Sequence, residues 1–119
     1  MLVKKMGLPW ITVSNLQKAK DFYVNVMGFE IVEENTNVKW LEVKCGDSIL
    51  GVWQAFEGAP DKPGQNAVIT FTVDNLENTK EVLEKQGMIF VNEIAEIPGV
   101  FRVMRYADQD GNKFQLYQN

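Results

Sequence analysis

The sequence predicts an α+β fold made of two tandem β-α-β-β-β modules. The first observation behind this is an internal repeat: Ile11–Asp21 recurs as Phe71–Glu81. Thr12, Val13, Asn15, Leu16 and Lys20 reappear in register as Thr72, Val73, Asn75, Leu76 and Lys80, and Asp21 is answered by Glu81. After a one-residue slip Gly28 matches Gly87 and Val32 matches Val91, so one half of the chain is a diverged copy of the other. The second observation is a Pro-, Gly- and polar-rich stretch, Glu57–Asn66, that separates the copies as a linker between modules 1–56 and 67–119.

Each module opens on a strand. Ile11–Val13 and Ala67–Val73 are β-branched and aromatic runs, which pack well on a pleated surface. Asn15 and Asn75, or Ser14 and Asp74 just before them, are placed to cap the helices that follow. Leu16, Ala19, Phe22, Tyr23, Val26 and Met27 fall at helical spacing in the first helix; Leu76, Thr79, Val82 and Leu83 do so more weakly in the second. Gly28 and Gly87 stand where a left-handed residue ends each helix, and strands Phe29–Glu33 and Met88–Asn92 follow. In the first module Val38–Lys44 and Ile49–Gln54 flank a turn at Cys45–Ser48. In the second, Val100–Tyr106 and Lys113–Gln118 flank the hairpin turn Asp108–Asn112.

Composition narrows the chemistry. With 119 residues, 45% of them hydrophobic, the chain holds one ordinary domain with a real core. There is no histidine, so Ser-His-Asp and Cys-His constellations and imidazole-ligated zinc are excluded. Cys45, the one cysteine, has no intramolecular disulfide partner and reads as a small core hydrophobe. A net charge of -4 without a basic block argues against a nucleic-acid partner and favours cationic ligands. The apolar run after Lys4 and Lys5 is broken by Pro9 and too short for a signal segment, and no stretch is long enough to span a membrane. A cytoplasmic protein without a membrane partner is expected.

Two stretches carry a family resemblance. Val13–Tyr23 followed by Met27-Gly28-Phe29, and the terminal Asp108-Gln109-Asp110-Gly111-Asn112-Lys113-Phe114-Gln115-Leu116, resemble landmarks of the vicinal oxygen chelate superfamily, which includes glyoxalase I, bleomycin-resistance proteins and extradiol dioxygenases. Gln109 replaces the proline usual in that turn. The resemblance implies paired modules whose mixed sheets curve around a cleft, and a divalent metal held by His, Glu or Gln from the opening and closing strands. Carried over by spacing, those metal positions fall on Leu8, Gly51, Val68 and Gln115. Only Gln115 offers a ligand atom, and one neutral amide does not hold a divalent ion against water. The metal site is therefore expected to be lost, with no cofactor in its place.

Strand alternation puts Trp10 and Thr12 on the face of Leu8, Thr70 and Thr72 on that of Val68, Ile49 and Trp53 on that of Gly51, and Lys113 and Tyr117 on that of Gln115. These describe an aromatic small-molecule pocket with a few hydroxyls and amides; core filling is the competing reading for Trp10 and Trp53. Arg102 and Arg105 are candidates for anchoring an anionic group or stacking on a ring, although alternation turns one of them outward and a solvated charge on an edge strand is the plainer reading. Asp108 and Asp110 fail the spacing of a calcium loop and read as a turn, and Asp47, Glu33 and Glu34 read as solvated surface. Pro9 resembles the hinge that sends the opening strand to a partner chain in bleomycin-resistance relatives, which implies a homodimer with or without strand exchange.

Together these features point to a metal-free protein that binds a small aromatic or cationic organic molecule, such as an antibiotic, without turning it over. The competing expectation is a metal-dependent glyoxalase- or dioxygenase-type enzyme whose ligands lie elsewhere. Acid–base chemistry through Tyr117 or a carboxylate is a third.

Overall fold

Two turns of sequence logic repeat in the backbone: an asparagine starts each helix, and a glutamine at the end of the module's last strand ties that start down. The computed structural model describes residues 2, 4, 6–91, 95–98 and 101–118, in two compact units, Met1–Gln65 and Asn66–Asn119. The expected strand limits at Asn92 and Val100 lie outside the described residues.

In the first unit, β1 (Trp10–Val13) leads into α1 (Leu16–Lys20), and β2 (Glu30–Asn35), β3 (Trp40–Cys45) and β4 (Ser48–Gln54) follow. The Asn15 side chain accepts the Lys18 N–H, and Gln54 Oε1 accepts the Leu16 N–H at 2.8 Å, so two of the helix's orphan donors are satisfied. The sheet runs β1-β4-β3-β2, with β1 parallel to β4 and the other pairs antiparallel. One face carries Ile11, Val13, Leu41, Val43, Leu50 and Val52, all buried, together with Ala19, Phe22, Tyr23 and Phe29. Each of the Ile, Val, Leu and Phe side chains contributes about 1.5–3 kcal/mol of transfer free energy.

Helical spacing over 16–27 predicts an unbroken α-helix, and the structure differs. From Asp21 to Val26 the helix widens into a π-helix, and the Met27 N–H reaches back to the Phe22 carbonyl at 2.9 Å. Within it Phe22 and Tyr23 are both buried and pack edge to face 4.8 Å apart. Gly28, at φ 81°, then turns the chain out of the helix.

The second unit repeats the plan with β5 (Ile69–Thr72), α2 (Leu76–Lys85), β6 (Ile89–Phe90), β7 (Ala95–Ile97), β8 (Phe101–Ala107) and β9 (Lys113–Gln118). Asn75 caps α2, and Gln118 Oε1 accepts the Leu76 N–H at 2.7 Å. The order is β5-β9-β8-β6, with β7 also on β8. Because Phe90 pairs with Tyr106 and Ala95 with Val103, β6 and β7 both lie on the same edge of β8. β8 is consequently an inner strand, not the edge strand that the arginines suggest. Leu76, Leu83, Met88, Met104, Tyr106, Phe114 and Leu116 form this unit's core, while Val82, off the buried stripe of α2, is exposed. Among the described residues no helix is long and apolar enough to cross a membrane.

Candidate functional site

The open face of the first sheet is set by its register. Trp10, Gly51 and Glu42 lie side by side across β1, β4 and β3, and Thr12, Trp53 and Trp40 form the next row. The indoles of Trp10 and Trp40 meet edge to face with centroids 6.3 Å apart, and those of Trp10 and Trp53 at 6.0 Å. Trp10 remains 43% exposed in spite of these contacts, so it is not filling a core. Glu42 accepts a hydrogen bond from Trp40 Nε1 at 2.8 Å, which fixes the indole's orientation.

Gly51 is glycine because of what lies over it. A Cβ there would stand 2.5 Å from Trp40 Cη2 and 2.7 Å from Leu8 Cδ1, closer than real contacts allow. The space that a side chain at position 51 would enter is filled by an indole and a methyl group.

At the end of this face the β2–β3 turn and the residues after β4 border an open cavity of about 430 Å³, lined by Asn37, Val38, Lys39, Trp53, Gln54, Ala55 and Phe56. The turn is tied down twice: Trp53 Nε1 donates to the Val38 carbonyl at 3.1 Å, and the Gln54 N–H to the Lys39 carbonyl at 3.0 Å. The Trp53 and Phe56 rings meet at 5.7 Å, while Phe56 and Val38 remain mostly exposed.

The second sheet presents a different face. Thr70, Gln115 and Arg105 form one row across β5, β9 and β8, and Thr72, Tyr117 and Val103 form the next. Gln115 Nε2 donates to Thr70 Oγ1 at 3.2 Å, and Arg105 Nε donates to Gln115 Oε1 at 3.5 Å. The amide at this position is thus engaged in a polar row of side chains. Val68 is exposed.

Alternation leaves open which arginine shares this face, and the register decides it. Arg105 does. Arg102 turns to the other side of β8, where it pairs with Glu77 at 2.5 Å and Glu96 at 3.7 Å. Its hydrogen bond with Glu77 holds the carboxyl below the usual range and pushes the guanidinium's pKa up, as a surface ion pair does. Burial pushes the Cys45 thiol up, which disfavours a thiolate nucleophile. Tyr106, fully buried, is pushed up to about 12 by desolvation and by the charge of Glu84, so it is unsuited to proton transfer near neutrality.

The Asp108–Asn112 turn is internally satisfied. Asp108 Oδ1 accepts the N–H groups of Asp110 and Asn112, and Oδ2 accepts Asn112 Nδ2. Its oxygens face donors within the turn. Glu34, expected to be solvated, pairs with Lys20 at 3.0 Å. Among the described residues no three His, Cys, Asp or Glu side chains are grouped to hold a metal ion.

Sequence reasoning missed Trp40, Val38, Lys39 and Phe56; Glu42 it reaches only as a metal ligand brought in by a strand slip, which would turn the side chain to the other face of the sheet. The signal for Trp40 was present: it leads the alternating strand that pairs with β4, opposite Trp53. The cavity had none, because it depends on the β2–β3 turn folding back to β4.

Comparison with known proteins places these features in a family. A family model described as the Glyoxalase/Bleomycin resistance protein/Dioxygenase superfamily matches residues 5–116. The uncharacterized protein YetH of Bacillus subtilis (strain 168) is 28% identical over 97% of this chain and 98% of its own length. A solved member of the same superfamily from Sphaerobacter thermophilus DSM 20745 superposes with a TM-score of 0.78 and 27% identity, covering 100% of both chains. TnmS3, an antibiotic binding protein from Streptomyces sp. CB03234, superposes with a TM-score of 0.73 and 26% identity over 98% of each chain.

Proposed function

The chain belongs to the Glyoxalase/Bleomycin resistance protein/Dioxygenase superfamily, and on that premise we propose that it is a metal-free member that binds a small aromatic molecule and releases it unchanged. The observation that carries this reading is the filling of position 51 by Trp40 and Leu8. Of the four positions that the family resemblance assigns to metal ligands, Leu8 and Val68 are hydrocarbon and Gly51 has no side chain. The amide of Gln115 is engaged by Arg105 and Thr70. A divalent ion prefers several oxygen or nitrogen donors, and this set does not fit one.

What the first face offers instead is indole surface, which binds planar molecules through apolar burial and ring contacts. The likeness to TnmS3 puts an antibiotic among the candidate ligands. Two copies of the chain are proposed to associate, with or without exchange of the strand after Pro9, and sedimentation of the purified protein checks this.

The experiment for the binding reading is a titration of the protein with a broad panel of planar and antibiotic compounds, followed by tryptophan fluorescence, alongside elemental analysis of protein purified without chelators. Saturable quenching, with the compound recovered unaltered and metal well below one equivalent, supports it. About one equivalent of a divalent transition metal that remains bound through dialysis points to the metalloenzyme alternative and overturns it.

A further inference from the structure

We propose that the cavity between the β2–β3 turn and the end of β4 is an anchoring pocket for a planar aromatic anion, a ring system bearing a carboxylate or similar group, with Lys39 as its counter-charge. This rests on the reading that the protein binds small aromatic molecules, and it adds the location and the charge of the group bound.

Size and walls come first. About 430 Å³ falls within the roughly 300–1,000 Å³ of small-molecule pockets and suits a group of two or three fused rings. Trp53, Phe56, Val38 and Ala55 supply apolar walls, and all the lining residues come from the first unit. The Trp53 indole N–H is already committed to the Val38 carbonyl, so the ring offers a ligand its surface and not a donor.

The charge follows from the lining. Lys39 is the only charged residue in it, no carboxylate accompanies it, and Lys39 forms no ion pair among the described residues. A lysine beside two aromatic rings matches a flat molecule with a negative edge. The chain's net charge of -4 pulls the other way, toward cations, but that is a long-range effect. It is screened over about 8 Å at physiological salt, whereas Lys39 is itself one of the residues that line the pocket. The local charge wins.

The backbone adds an independent observation. Among the described residues Lys39 is the one non-glycine residue with positive φ, at 56°. Glycine or asparagine adopts that conformation at lower cost, so a lysine here carries strain where the cavity is formed. Strain held at a cavity wall is expected where the side chain has a task that a glycine could not perform.

The test compares 2-naphthoate with 2-naphthylmethylammonium, matched in ring and opposite in charge, by tryptophan quenching of the full chain. The expected result is naphthoate bound at least about tenfold more tightly. Lys39→Met abolishes that preference, Lys39→Arg keeps it, and Phe56→Ala weakens naphthoate. Lys39→Gly is expected to melt at a higher temperature than the parent while losing naphthoate, an outcome that a purely structural role for Lys39 does not give. Equal binding of the two probes, no binding of either, or naphthoate affinity unchanged in Lys39→Met overturns the proposal. If Trp10→Phe loses ligands that Lys39→Met retains, the binding reading stands and this pocket is not where they anchor.

Discussion

The two modules are alike where the backbone needs partners and unlike on their open faces. Asn15 and Asn75 cap their helices with the same dihedrals, φ -144° and ψ 109°, and Gln54 and Gln118 each accept the first helical N–H of their own module. Gly28 and Gly87 both leave the helix at φ 81°. On the faces, the row Trp10–Gly51–Glu42 answers the row Thr70–Gln115–Arg105, and Thr12–Trp53–Trp40 answers Thr72–Tyr117–Val103. A carboxylate stands where the copy has a guanidinium, and a bare glycine where it has an amide. Helix ends and strand pairs carry donors that are costly to leave unmatched, so both copies solve them in the same way. An open sheet face carries no such debt, and the copies have diverged there into one aromatic and one polar surface.

The largest contrast is expected at the paired positions 51 and 115. Gly51→Val drives methyls into Trp40 and Leu8 and is expected to cost about 3 kcal/mol by denaturant unfolding, whereas Gln115→Val, which loses only solvent-exposed hydrogen bonds, costs less than about 1 kcal/mol. Equal losses would mean that the indole readily moves aside from Gly51, and the contrast between the faces would fail.

The shared framework is expected to respond symmetrically. Gln54→Ala and Gln118→Ala each strand a helical N–H and are expected to cost about 1–2 kcal/mol. A smaller effect follows from the caps: Asn15→Ala and Asn75→Ala are each expected to cost about 1 kcal/mol, read from the shift in thermal midpoint. A large difference within either pair would show that the repeat is kept in sequence but no longer in energetics.

The smallest effect belongs to the second module alone. Glu77 has its pKa lowered by the hydrogen bond from Arg102, so its contribution is present above the ordinary glutamate pKa and is lost as pH falls through the lowered value. The thermal midpoints of the parent and Glu77→Gln are therefore expected to differ slightly near neutrality and to converge in acid. A gap that widens on acidification would contradict the sign of the shift.

Much of the fold was legible because its signals are local. The repeat, the Asn caps, the helix-ending glycines and the turn at Asp108–Asn112 are set by residues within a few positions of one another, and strand alternation carried Trp10, Thr12 and Trp53 onto one face. The π-helical stretch was not legible, since the spacing of apolar residues over 16–27 is the same for an unbroken α-helix. The placing of β6 and β7 on one edge of β8 depends on pairing between separate segments.

By itself, then, the sequence determined that the chain is a doubled β-α-β-β-β module of the glyoxalase and bleomycin-resistance type, with Leu8, Gly51 and Val68 at three of the positions to which the resemblance assigns ligands. Tertiary structure alone decided that Arg105, not Arg102, shares a face with Gln115, that Trp40 lies over Gly51, and that Lys39 lines a cavity beside Trp53 and Phe56. The reason is physical: periodicity tells which side of a strand a residue takes, but which strand lies next to it, in what register, and how a turn folds back are fixed by contacts between distant segments.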